Sequence, residues 1–269
     1  MDEKSRTLMN IVFFGATELG YDCCEALLKN GHTISGIFTI KQKFNISYSP
    51  GKPVKNYLFK DFGTLAKEYN IPILAIDEKL GDHLESFRLM KPEFALAIGW
   101  YYMIPNSFLE ICNKGGAGIH ASLLPKYRGN APLVWAMING EKETGVSFFY
   151  FAEGVDEGDI IGQEKFEISE SDTIKEVLEK TTIASKKVLL DKISEIAIGT
   201  NIPIKQDHSK ATLYPKRSPE DGEIDWSKSA KEINNFIGAQ TKPYPGAFTI
   251  INGKKVKIWS ATVSEESEG

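Results

Sequence analysis

Apolar residues along this chain recur with two different periods, and the alternation between them is the first signal. Asn10–Gly15 (NIVFFG) is a short apolar run closed by glycine, the pattern of a buried strand. Thr17–Lys29 follows with apolar residues at helical spacing and stops at Asn30-Gly31. Thr33–Ile40 predicts a second strand, and Lys41–Phe59, with its Asn, Ser, Pro and Gly, a long surface loop. Asp61–Tyr69 predicts a helix, Ile71–Ala75 a strand, Lys79–Met90 a helix and Phe94–Gly99 (FALAIG) a fully apolar strand. Apolar strands alternating with helices predict a parallel sheet covered on both faces.

The rhythm changes at Thr144. Thr144–Phe151 and Ile160–Ile168 predict two strands joined by a turn, and a helical pattern runs from Thr173 to about Ile198. Asn201–Glu223 is polar and irregular, like a linker. Trp226–Gly238 predicts a helix, and Ala247–Ile251 and Lys255–Thr262 flank Asn252-Gly253, a strong hairpin signal. The expected fold is therefore α/β: a Rossmann-like, mostly parallel sheet with helices on both faces, over residues 1–200. Residues 201–269 form a linker and a small α+β appendage with a β-hairpin.

Composition narrows the function classes. Hydrophobic residues make up 42% of the 269 residues and charged residues 25%, ordinary for a globular domain. No apolar run approaches the roughly 20 residues needed to cross a bilayer. Met1–Asn10 is polar and too short for a signal peptide, so a cytoplasmic protein with no membrane partner is expected. Cys23, Cys24 and Cys112 form no C-x-x-C pair, and His32, His83, His120 and His208 are scattered, which argues against a disulfide framework or a metal site. The net charge of −4 argues mildly against nucleic acid as the main partner.

Two stretches carry candidate chemistry. Gly15-Ala-Thr-Glu-Leu-Gly20 follows the first strand, but its spacing is not the G-x-G-x-x-G of dinucleotide sites, and a tight strand-to-helix turn explains it. The informative run is Gly115–Asp159. It contains Gly118-Ile-His120-Ala-Ser122-Leu123-Leu124-Pro125-Lys126-Tyr-Arg128-Gly, then Ala131-Pro132, Glu143-Thr-Gly-Val146 and Gly154-Val155-Asp156-Glu-Gly-Asp159. A histidine at the carboxyl end of a parallel strand lies where α/β sheets place ligands. Taken alone, His120 reads better as a packed or surface histidine, and Asp156 as a turn residue.

The composite run closely resembles the folate-dependent formyltransferases, a family that includes methionyl-tRNA, glycinamide ribonucleotide and sugar-nucleotide N-formyltransferases. Its signature is Asn-x-His-x-Ser-Leu-Leu-Pro, a basic loop, and an Asp in a Val-Asp-x-Gly-Asp turn. The resemblance implies 10-formyltetrahydrofolate as cosubstrate, no metal, His120 as general base and Asp156 beside it to favour the imidazolium. It places the folate against Ser122, Leu123, Leu124 and Pro125, against Glu153, Gly154, Val155 and Asp156, and against a wall over Gly99–Ile104 with Trp100 and Tyr102. Lys126, Arg128, Asn130 and Tyr244 are candidate substrate-binding residues, with Lys216 and Arg217 as further cations. One position departs from the pattern: the family Asn falls at Gly118, which has no side chain to meet the formyl oxygen. A substitute donor such as Asn130, a backbone amide, or a protein that only binds folate or nucleotide are the alternatives.

The amine acceptor is read from the C-terminal third. Leu213–Trp226 and Lys242–Phe248 resemble segments found in both tRNA and sugar formyltransferases. Little chain follows the hairpin to build the basic barrel of tRNA enzymes, and the end, Ser264–Gly269, is acidic. Gly99-Trp-Tyr-Tyr102 is similar to a segment of a sugar enzyme. These features favour a small-molecule sugar nucleotide as acceptor, no nucleic acid, and a homodimer. Methionyl-tRNA is the alternative.

Overall fold

The structure, a computed structural model, describes residues 9–46, 49, 51–77 and 79–264. The polar N-terminal stretch before Met9, three positions of the 41–59 loop and the acidic end after Ser264 lie outside the described residues.

The chain opens with β1 (Asn10–Phe14), whose residues Ile11–Phe14 are fully buried. Helix α1 (Glu18–Lys29) starts where the Thr17 side chain accepts from the Gly20 amide, and β2 (Thr33–Ile40) lies parallel to β1. The 41–59 segment is less irregular than its composition suggests: β3 (Lys43–Phe44) and β4 (Val54–Lys55) pair as a small antiparallel hairpin. Next come α2 (Gly63–Glu68), β5 (Ile73–Ile76), a 3-10 turn leading into α3 (Leu84–Leu89), β6 (Phe94–Ala97) and the short α4 (Asn106–Leu109).

Several elements escape a periodicity argument. Strand β7 (Gly116–His120) carries two glycines and reads poorly as a strand. It becomes one by pairing with β6 on one side and with β9 (Glu143–Tyr150) on the other. The two-residue β8 (Arg128–Gly129) pairs with an equally short β11 (Leu213–Tyr214) from the expected linker. Helix α5 (Pro132–Ile138) is apolar throughout and so shows no amphipathic stripe. After β10 (Ile160–Glu167), the 25-residue α6 (Ile174–Ile198) begins at a Thr173/Glu176 capping box and ends at Gly199, in the left-handed region. The chain closes with α7 (Ala230–Gly238) and the hairpin β12 (Ala247–Ile251) and β13 (Lys254–Ile258).

The seven-stranded sheet has the order β10-β9-β7-β6-β1-β2-β5. Only β9 runs against the rest, so the fold is α/β with a mostly parallel sheet. Strand β1 shows why both sides must be covered. Its Ile11 and Phe13 join Cys23 and Leu27 of α1 and Val188, Leu189 and Ile193 of α6, while Val12 and Phe14 join Phe38, Phe87 and Phe108 on the opposite face. Among the described residues no helix is long and apolar enough to cross a membrane.

From β1 the chain builds outward through β2 and β5, then returns to the other side of β1 for β6 and β7. The crevice beyond the carboxyl ends of β1 and β6 is the topological switch point, where open α/β sheets bind ligands. Close backbone approach shapes it: Gly99 after β6 has φ +63, and a methyl added to Gly20 in α1 would fall on the Ile98 carbonyl. Gly→Ala inside a helix ordinarily stabilises by about 0.5–1 kcal/mol. Gly20→Ala is expected to reverse that sign and lower stability by about 1–3 kcal/mol, because a packed helix must move. Urea unfolding of the two proteins measures the difference, and a stabilised variant would contradict the packing.

Candidate active site

A cavity of about 410 Å³ occupies the crevice at the switch point. One wall is the segment after β6, including Trp100, Tyr101, Tyr102 and Ile104; the opposite wall comes from Phe149, Phe151 and Glu153–Asp156. Gly118 and His120 of β7 form its floor, with Gly129 and Asn130 beside them. A smaller cavity of about 210 Å³ lies away from the strand ends, between Ile138, Ile224 and the Ile233–Phe236 face of α7, and no histidine lines it.

His120 is the centre of the polar end. Its side chain is 10% exposed, and Nε2 lies 2.7 Å from the Tyr127 carbonyl oxygen. A carbonyl only accepts, so Nε2 carries a proton, and Nδ1 is the nitrogen that gains or loses one. Nδ1 faces Asp156 Oδ2 at 3.5 Å, longer than a good N–H···O bond but close enough for a carboxylate to stabilise an imidazolium. That same Oδ2 accepts the Gly129 amide at 2.8 Å. Asp156 holds φ +54, a left-handed conformation that projects its carboxylate from the turn between β9 and β10.

The wall after β6 is held by contacts outside the cavity. The Tyr101 hydroxyl donates to Asn56 Oδ1 at 3.0 Å and the Tyr102 hydroxyl to the Asn45 carbonyl at 2.7 Å, while both rings pack on Phe44 of β3. Trp100 packs edge-on against Phe14 and Tyr102.

The structure brings some of the sequence candidates together and separates others. Trp100, Tyr102, His120, Asn130, Glu153, Gly154, Val155 and Asp156 all line the cavity. Ser122, Leu123, Leu124 and Pro125 do not. The Ser122 hydroxyl donates to the Lys126 carbonyl, and buried Ser147 binds the Ser122 carbonyl at 2.7 Å and the Leu124 amide at 2.9 Å. Leu124 packs with Phe149 and Ile160. These four residues therefore shape the loop that carries Tyr127 and Arg128. Arg128 is 5% exposed and bonded to Gln206, Glu157 and His208, whereas Lys126 is exposed. Tyr244 packs on the Leu133–Met137 cluster, where burial pushes its phenol up to about 12. Arg217 lies across the Trp135 ring and donates to Gln240; Lys216 is exposed. The three cysteines are buried with their thiols shifted upward by burial, Cys112 to about 12.

Gly118 has a steric explanation. A Cβ there would stand 2.8 Å from the Ala97 carbonyl and 3.0 Å from the Phe151 ring, so this backbone has no room for a larger residue. The amide side chains that do line the cavity are Asn106 and Asn130. Sequence inspection did not find Asn106, the Tyr127 carbonyl, the Gly129 amide or Phe151. Two of these act through backbone atoms, and only the meeting of separate loops singles out the others.

Comparison with known proteins agrees in sequence and in fold. Residues 9–193 match the family model described as formyl transferase, and residues 216–269 the one described as formyl transferase, C-terminal domain. The chain is 35% identical over 261 residues to a methionyl-tRNA formyltransferase of Alkaliphilus oremlandii, covering 96% of this chain and 81% of the relative. It is 34% identical to one of Desulforamulus reducens, covering 95% and 78%. In fold it resembles an N-formyltransferase from Helicobacter canadensis solved with folinic acid and dTDP-3-aminofucose: TM-score 0.73, 20% identity, 97% of this chain and 90% of that one. A 20% likeness concerns the fold alone. Relatives at 34–35% identity over most of the chain thus overturn the expected sugar-nucleotide acceptor and favour the alternative, methionyl-tRNA. Net charge sums over the whole surface, whereas any polyanion would meet only one part of it.

With Nε2 committed to the Tyr127 carbonyl, long-range 1H–15N NMR spectra of His120 are expected to show a protonated Nε2 at neutral pH. A neutral ring protonated at Nδ1 with a bare Nε2 would contradict this geometry.

Proposed function

This chain belongs to the formyl transferase family, and we propose that it moves the formyl group of 10-formyltetrahydrofolate onto the amine of methionyl-tRNA. The identity to methionyl-tRNA formyltransferases over 96% and 95% of the chain carries this assignment. The cavity suits the cosubstrate: an aromatic and aliphatic wall for a flat pterin, with a polar end at His120, Asn130 and Asp156 where a formyl group reacts.

The acceptor amine attacks the formyl carbon and gives up a proton to His120 Nδ1, whose imidazolium the Asp156 carboxylate stabilises at 3.5 Å. The tetrahedral intermediate collapses as the bond from carbon to folate N10 breaks, and the proton passes from His120 to that nitrogen. Charge on the formyl oxygen calls for a hydrogen-bond donor. Gly118 supplies none, and we assign that part to Asn130, which lines the cavity next to Gly129, the residue whose amide holds Asp156.

Local charge supports a polyanionic acceptor despite the net charge of −4. Lys41, Lys43, Lys52, Lys55 and Lys60 are all exposed around the β3–β4 hairpin, which packs on the cavity wall through Phe44. Exposed Lys254, Lys255 and Lys257 lie on β13, at the far end of the chain.

Incubation with 10-formyltetrahydrofolate and initiator methionyl-tRNA is expected to yield formyl-methionyl-tRNA. Binding should weaken by more than about 10²-fold between 50 and 200 mM salt, as for about five phosphate contacts. Folate binding without formylation of the charged tRNA would overturn the assignment. His120→Asn is expected to lower kcat by about 10²–10⁴ and Asn130→Ala by about 10²–10³. An undiminished Asn130→Ala would remove that residue from the mechanism.

A further inference from the structure

Gln206 lies in the segment between α6 and β11, between an isolated bridge from Ile204 to Ile160 and a 3-10 turn at His208–Lys210; it is 6% exposed and every polar valence of its amide is used. Its Oε1 accepts from Arg128 Nε at 3.2 Å and Nη2 at 2.6 Å. Its Nε2 donates to the carbonyl of Asp156 at 2.8 Å and to that of Gly158 at 2.7 Å. The orientation has one solution, because a guanidinium only donates and a carbonyl only accepts.

These four bonds join the two loops that place Asp156. One is the turn after β9, where Asp156 holds φ +54, a conformation that L-residues keep only when their surroundings enforce it. The other is Arg128–Gly129, whose amide grips the Asp156 carboxylate at 2.8 Å. Two other links join these loops, the Gly129 amide bond and the ion pair from Arg128 to half-exposed Glu157, but neither holds the Asp156 backbone as Gln206 does. Glu157 and His208 touch Arg128 at 3.3 and 3.2 Å, but neither hydrogen-bonds the Asp156 carbonyl.

Resting on the assignment of His120 and Asp156 as the proton-handling pair, we infer that Gln206 is a positioning residue that sets the distance from the Asp156 carboxylate to His120 Nδ1. It does not line the cavity. Its two ends are separable by substitution. Gln206→Glu keeps an acceptor for Arg128 but sets a carboxylate against two carbonyl oxygens, releasing the turn. Gln206→Leu releases both loops.

The test reads His120 directly. The chain has four histidines, so the His120 side-chain 15N signals are assigned by their loss in His120→Asn and compared at one neutral pH in wild type, Asp156→Asn, Gln206→Glu and Gln206→Leu. Both Gln206 variants are expected to move the His120 signals most of the way towards their positions in Asp156→Asn. In formyl transfer, kcat is expected to fall by about 10²-fold, the scale of a misplacement near 1 Å, with KM for folate and amine unchanged within about threefold. Unmoved His120 signals in both variants, or a raised KM with kcat intact, would overturn the inference. So would failure of both variants to fold, which would make Gln206 a residue of stability alone. His120 signals indifferent to Asp156→Asn would remove the pair and the clamp together. A wild-type protein that ignores methionyl-tRNA but shows the expected shifts would overturn the acceptor and leave the clamp standing.

Discussion

The bond from the Gly129 amide to the Asp156 carboxylate, 2.8 Å long, crosses between two loops that are distant in sequence and have little regular structure of their own. One loop leaves β7 and carries Tyr127, Arg128 and Gly129; the other leaves β9 and carries Asp156. The Tyr127 carbonyl fixes one nitrogen of His120, and Asp156 faces the other. Which group each nitrogen of His120 faces therefore depends on where these loops meet. Buried Ser147, through the Ser122 carbonyl and the Leu124 amide, ties the first loop to β9, and Gln206 ties both loops to the segment after α6. A polar lattice in a dry setting has few alternative arrangements, because each unpaired group there costs about 1–3 kcal/mol.

Gly118 shows how packing and chemistry trade places. Where the family pattern has an amide side chain, the Phe151 ring and the Ala97 carbonyl leave no room for one. The space has gone to an aromatic wall that continues through Phe149 and faces Trp100–Ile104 across the cavity. An oxyanion donor must then come from another direction, and Asn130 stands on the side already organised by Gly129 and Asp156. The reaction needs a donor at a point in space, not at a position in the sequence.

Acceptor choice illustrates the limits of summed quantities. A net charge of −4 and the similarity of Gly99–Tyr102 to a sugar-enzyme segment both pointed to a small sugar nucleotide. Identity of 34–35% with methionyl-tRNA formyltransferases outweighs them, and exposed lysines gather at two hairpins. Acidic residues elsewhere cancel them in the total but not in the local field.

Periodicity alone determined much of the framework: β1, α1, β2, β5, β6, β9, β10 and α6 lie within a few residues of their predicted spans, because all but the edge strand β5, which buries only Ile76, put an apolar face into the core. It missed β7, β8, β11 and α5, since glycine-rich, two-residue or wholly apolar segments have no periodic face. His120 and Asp156 were legible only as parts of a long composite motif. That motif suggested Ser122–Pro125 as cavity wall, and the fold places them behind it. Tertiary structure alone decided which nitrogen of His120 faces Asp156, why position 118 is glycine, and that a glutamine in an irregular segment holds the carboxylate's loop. Those outcomes depend on backbone carbonyls and amides brought together from separate segments, and backbone atoms, identical at nearly every position, leave no trace in a sequence.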